Sequence, residues 1–194
     1  MPAVFNRLNV TAGCLGFHDL DFGIETMQAL MKKTAPTKWM LTNMVIPQAG
    51  TEEDCGDSIA ELIQTHTIKN VQGCGRQVGF IGIAEKDWLE YLSKDVTEEI
   101  FYMDFIASAS VHAANLKKDG CDIVIALTHM RLSNDVILAR NVPEIDLILG
   151  GQDHMYETMV DDKTGVFVVK SGTDFEEFSD IQMVFDVPTQ AKAF

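Results

Sequence analysis

The sequence predicts an α/β fold, a sheet layered with helices, and three observations carry that expectation. Apolar runs of strand length alternate with stretches whose apolar residues recur at helical spacing. Proline and glycine punctuate those stretches, Pro36 after the first long helix and Gly120 after the third. Three strand ends also run into polar turns that carry His18, His129 and His154. In such folds ligands gather at the carboxyl ends of the strands. Three of five histidines in one topological position therefore mark a candidate site.

Taken in order, Leu8–Leu15 is an apolar run that reads as a buried strand, followed by the turn Gly16-Phe17-His18-Asp19 and a helix over about Ile24–Lys33. Trp39–Ile46 reads as a second strand, and Pro47–Asp57, with its Glu52-Glu53-Asp54 run, as a solvated loop. Ile68–Gln72 and Gln77–Ala84 flank Gly73-Cys74-Gly75-Arg76, the pattern of an antiparallel hairpin. Lys86–Leu92 is a short helix, and Asp104–Lys118 a longer one stopped at Gly120. Asp122–Leu127 is a continuously apolar strand ending at Thr128-His129, and Ser133 is the expected N-cap of a helix through Arg140. Asp146–Leu149 is the next strand, ending at Gly150-Gly151-Gln152-Asp153-His154. The remainder, Tyr156–Val187, reads as strands broken at Asp161-Asp162-Lys163 and Gly172-Thr173.

At 194 residues, without internal repeats or linkers, residues 1–194 are expected to form a single domain with a real core. Apolar residues at 46% and charged residues at 23% are ordinary for a soluble globular protein. Fifteen basic against 29 acidic residues give a net charge of −14, which repels phosphate backbones and argues against nucleic acid. Cys14, Cys55, Cys74 and Cys121 form no Cys-x-x-Cys pair, which argues against a zinc knuckle and fits buried thiols in a reducing compartment. No run reaches the roughly 20 apolar residues of a spanning helix, and the N-terminus carries no secretory or transit pattern. An intracellular protein is expected, cytoplasmic or organellar, the mitochondrion included.

The turn motifs have a recognisable order. Gly16-Phe17-His18-Asp19-Leu20-Asp21-Phe22-Gly23 looks like a Gly-Asn-His-Asp/Glu-Phe-Asp-x-Gly block. Leu127-Thr128-His129-Met130-Arg131 is followed by Asn134-Asp135, and Gly150-Gly151-Gln152-Asp153-His154 is similar to a Gly-Gly-His-x-His block. Thr42-Asn43 and Lys170-Ser171-Gly172-Thr173-Asp174-Phe175 fit the same pattern. From about Phe5 to Val187 the chain thus resembles the calcineurin-like metallophosphoesterases, 5′-nucleotidase branch, in the later part of their catalytic domain. The resemblance implies a layered α/β/β/α sandwich lacking its first strands.

The resemblance also implies a degenerate site. The family's reaction uses two divalent ions about 3.5–4 Å apart, which activate a water and clamp phosphoryl oxygens. No Asp-x-His or Gly-Asp block precedes Gly16, Phe17 stands where the family has an Asn ligand, and Gln152 where it has a His. What remains is His129 and His154 as vestigial metal ligands and His18 with Asp19 as a vestigial acid dyad, Asp21 supporting it. No cofactor is expected; if one binds, it is a single weakly held divalent metal, Mn, Zn or Fe, on His129 and His154. Phe17 is expected to fill the volume of the lost ion, and Gly150-Gly151 to serve a tight turn. The functional expectation is a non-catalytic phosphoesterase-like subunit of a larger assembly, its open sheet edges covered by a protein partner. The alternative is a metal-dependent phosphate-ester hydrolase of 5′-nucleotidase or phosphodiesterase type, completed by a partner chain.

Overall fold

Pro2 sits at the first position of the first helix, where its missing N–H costs nothing and its fixed φ suits the helix. The structure is a computed structural model and describes residues 2–46, 62–71, 75–98 and 100–185. Helix α1 spans Pro2–Leu8, and Asn9 at φ 53° ends it. The expected strand Leu8–Leu15 is therefore shorter, β1 covering Ala12–Cys14. A 3-10 turn over Phe17–Leu20 leads into α2, Ile24–Lys33, as predicted.

The apolar run Trp39–Ile46 does not form one strand. It divides into β2 (Lys38–Met40) and β3 (Met44–Val45), which belong to different sheets. Thr42 and Asn43 cause the break, because their side chains bond to the backbone of another strand instead of continuing their own. Gly82 N donates to Thr42 Oγ1 at 2.9 Å, and Ala84 N to Asn43 Oδ1 at 2.9 Å. Asn43 Nδ2 returns a bond to Ala84 O at 2.8 Å. The expected loop Pro47–Asp57 and the turn residues Gln72–Cys74 lie outside the described residues.

β4 covers Ile63–Gln64, and β5 (His66–Val71) forms the expected antiparallel hairpin with β6 (Arg76–Ala84). A 3-10 turn, Lys86–Tyr91, precedes α3 (Lys94–Thr97) and β7 (Phe101–Tyr102). Helix α4, Phe105–Lys118, is capped by Asp104, whose Oδ1 accepts from Ala107 N at 2.9 Å, and ends before Gly120 at φ 95°. β8 (Ile123–His129), α5 (Leu132–Asn141) and β9 (Leu147–Gly150) follow. The cap of α5 is not Ser133: Arg131 holds that position, and Asp153 Oδ2, from a distant turn, accepts from Leu132 N at 2.7 Å. β10 (Tyr156–Val160) and β11 (Phe167–Ser171) pair antiparallel, and no strand follows them among the described residues.

The main sheet has the order β10-β11-β9-β8-β6-β5, with parallel strands inside and antiparallel strands at both edges. A smaller parallel sheet, β1-β2-β4, packs through β1 and β2 on β6, and β3 pairs with β7. One face of the main sheet, with Val124, Ala126, Ile148 and Val168, buries Ala109, Ala113 and Leu116 of α4 and Leu138 of α5. The other face, with Ile123, Ile125, Leu147 and Val169, is covered in part by Ile181 and Phe185 of the tail. Leu15, Leu20, Met27, Met31 and Trp88 form a separate core beneath the small sheet. This is a mixed α/β layered fold, and β1 has a hydrogen-bonded neighbour on one side alone among the described residues.

Candidate functional site

The site lies where β8 and β9 end opposite the end of β1. An open groove of about 380 Å³ there is lined by Cys14, Thr128, His129, Gly150, Gly151 and Ser179, among others. Gly16 admits His129 closely: a Cβ at Gly16 would lie 2.9 Å from His129 Nε2. His129 Nδ1 is buried without a hydrogen-bond partner. Burial pulls its pKa down to about 4, so the imidazole is neutral at physiological pH. Phe17 meets the His129 ring edge-on with centroids 5.2 Å apart and stacks on Tyr91 at 5.0 Å; Trp88 approaches from another side at 6.4 Å. Burial also pushes the Cys14 thiol up to about 12, so it is no thiolate.

The predicted His18–Asp19 dyad is not formed. His18 is exposed, its side chain 75% accessible, and its Nδ1 lies 2.8 Å from Asp21 Oδ2. Asp19 bonds back onto its own turn instead, its Oδ2 accepting from Gly16 N at 2.8 Å and tying down the turn. The three-residue offset of a 3-10 turn brings His18 to Asp21 and Asp19 back to Gly16. Desolvation raises the Asp19 carboxyl above its usual range, with the Gly16 N–H opposing the shift.

His154 is exposed at φ 53° and does not line the groove that holds His129. Gln152 precedes it at φ 71°, with Oε1 buried and without a hydrogen-bond partner. Among the described residues no three imidazole, thiol or carboxylate side chains come together as a metal site. A dinuclear centre needs several such donors, with one bridging both ions. One orphaned imidazole nitrogen beside a phenyl ring does not supply them. The residues described do not fit the metal pair that the fold family implies.

What the sequence reading missed is a buried ionic cluster beneath the groove. Lys170 of β11 is 1% exposed, and its Nζ donates to Met130 O at 2.8 Å and Gly151 O at 2.6 Å. The same nitrogen lies 3.0 Å from Asp135 Oδ2 and 2.7 Å from Asp153 Oδ1. Asp135, fully buried, accepts from Thr128 Oγ1 at 2.6 Å; burial pushes its pKa up to about 6 even beside the ammonium group. Asp153 is desolvated too, yet its bonds from Lys170 and Leu132 N hold it below the usual carboxylate range. Gly150 is required here, since a Cβ would fall 2.6 Å from Asp135 Oδ2. A parallel cluster joins buried Glu85 to Arg131 Nε at 2.9 Å and Asn134 Nδ2 at 2.5 Å, and Arg131 also pairs with Asp87. The available signal was a lysine inside the apolar strand Phe167–Ser171, at an inward register position.

No protein-family model matches the chain. A 2′,3′-cyclic-nucleotide 2′-phosphodiesterase/3′-nucleotidase of Haemophilus influenzae is 26% identical over 166 residues, covering 79% of this chain and 24% of that protein. An NAD 5′-nucleotidase of the same organism is 28% identical over 158 residues, 78% of this chain and 23% of that protein. The chain thus spans about a quarter of the length of these curated relatives. The crystal structure of a 5′-nucleotidase precursor from Thermus thermophilus superposes with a TM-score of 0.73 at 22% identity, covering 88% of this chain and 35% of that one. Its curated and structural neighbours are consistently calcineurin-like metallophosphoesterases of the 5′-nucleotidase family, and the chain is similar to only part of their length.

Proposed function

We propose that this chain is a phosphoesterase-type fold whose own residues no longer assemble the catalytic metal pair, and that it serves as an interaction subunit. The observation that carries the reading is Phe17, whose ring packs edge-on against His129 and stacks on Tyr91 where the resemblance expects an Asn ligand. The vestigial assignments go with it: His129 and His154 for a metal, His18 and Asp19 for acid chemistry. A protein partner along the open edge of β1 is part of the proposal, supported by that edge and by exposed Phe22 and Phe101. An intracellular location is proposed on the strength of the free thiols Cys14 and Cys121. Among the described residues no helix is long and apolar enough to cross a membrane.

A second reading is phosphate-ester hydrolysis completed by residues from another segment or chain, and the comparisons favour it, because the relatives' names are those of nucleotidases and phosphodiesterases. The test is hydrolysis of an aryl phosphate or aryl phosphodiester by the isolated chain with Mn²⁺. The first reading expects no turnover above buffer. Turnover that disappears in His129→Ala overturns it in favour of the second.

A further inference from the structure

The two histidines that the candidate site leaves unused, His66 and His112, face each other at a distance from it. His66 opens β5, and His112 lies in the middle of α4. Their ring centroids are 5.9 Å apart with the planes at 47°, so they neither stack nor meet edge-on. Two imidazoles bound to one tetrahedral ion at about 2.0–2.1 Å have ring centres roughly 5–6 Å apart. We propose that His66 and His112 form a separate metal site at the seam between β5 and α4, taking one divalent ion of the Zn²⁺, Ni²⁺ or Cu²⁺ class.

Three features fit that chemistry. First, His66 Nδ1 lies 3.2 Å from Thr65 Oγ1, and Thr65 is itself fixed by its carbonyl, which accepts from Thr42 Oγ1 at 2.5 Å. A ring nitrogen engaged this way orients the imidazole, and in the tautomer whose Nδ1 donates to that hydroxyl Nε2 is the ligating atom. Second, partial burial and the neighbouring His66 hold His112 below its ordinary pKa, so it is neutral at physiological pH. Neutral imidazole is the form that binds metal. Third, both residues sit on regular elements held by one core: His66 is in register with Ile81 of β6, and Ile81 packs with Ala109 and Ala113, which flank His112. The gap between the rings is thus set by packed backbone rather than by a loop.

Imidazole nitrogen selects the later transition ions, for which affinity rises toward Cu²⁺, over Mn²⁺ or Mg²⁺. No third imidazole, thiol or carboxylate joins the pair among the described residues, so water fills the remaining positions. The site stands apart from His129 and does not depend on the functional reading above.

The experiment is a Zn²⁺ titration of the full chain followed by the NMR signals of the histidine side chains. His66 and His112 are expected to shift together, and His66→Gln or His112→Gln to weaken binding by about tenfold or more. His66 is exposed, so its variant tests the site without disturbing the core. Mildly acidic buffer is expected to weaken binding, because protons compete for the same nitrogens. Shifts confined to His18, His129 or His154 would overturn the proposal, as would unchanged affinity in His66→Gln or binding lost in His129→Ala.

Discussion

Two sides of the groove are built differently. On the β8–β9–β11 side, a buried lysine and two aspartates tie three chain segments together with every charge paired. On the β1 side, a three-residue strand and a short 3-10 turn present Phe17 and an outward-facing His18, with Tyr91 of the second 3-10 turn stacked on Phe17. The first side keeps the turn geometry Gly150-Gly151; the second has aromatic contacts where ligand chemistry would sit. The contrast teaches that the scaffold of a site and its chemistry are separable. Buried ion pairs are costly to break and so hold a backbone in place, whether or not the groove above them still reacts.

The largest expected effect tests the paired side. Lys170→Met leaves Asp135 and Asp153 desolvated without their cation, and a loss of about 3–5 kcal/mol is expected by denaturant unfolding. Adding Asp135→Leu should restore part of it; a Lys170→Met loss below about 1 kcal/mol would break the contrast between the two sides. Next, Gly150→Ala pushes a methyl against Asp135 Oδ2, with an expected loss of about 1–3 kcal/mol in the same measurement.

The pH dependence separates the orphaned imidazole of His129 from the ionic cluster beneath it. His129 titrates near 4 in the folded chain against an ordinary 6.5, so the unfolded chain binds more protons between those values. Its contribution is present above about 6.5 and is lost as pH falls through about 4. Asp135 has the opposite sign: its folded value of about 6 exceeds the ordinary 3.8, so its contribution is present below 3.8 and lost as pH rises through about 6. Thermal unfolding of His129→Phe is expected to lack the rise in stability with pH that the parent shows from His129. An identical pH profile would contradict the buried, neutral imidazole. The smallest effect belongs to the surface pair: Asp21→Asn should change stability by less than about 1 kcal/mol, since His18 and Asp21 are both largely in water.

Much of the scaffold was legible in the sequence, because periodicity reports burial. The run Asp122–Leu127 reads as an apolar strand, and the observed strand Ile123–His129 has both of its faces covered; Gly120 marks the stop of α4 since it adopts φ 95°. Side-chain bonds to the backbone were not legible. Nothing local says that Thr42 and Asn43 divert to β6, or that Asp153 caps α5 from a distant turn. The candidate site was half legible. His129 was found at a strand end, yet the partner of His18 was misread because sequence adjacency is not the three-residue geometry of a 3-10 turn. Lys170 was noticed only as part of a motif and given no role, because a lysine is ordinarily exposed and the network that reverses this is assembled from three segments.

The most direct test of the central claim is electron paramagnetic resonance of the purified chain with added Mn²⁺. An ion that these residues do not gather should give only the spectrum of hydrated Mn²⁺, unchanged in His129→Ala. An exchange-coupled two-manganese spectrum that vanishes in His129→Ala would show an assembled catalytic pair and contradict the account.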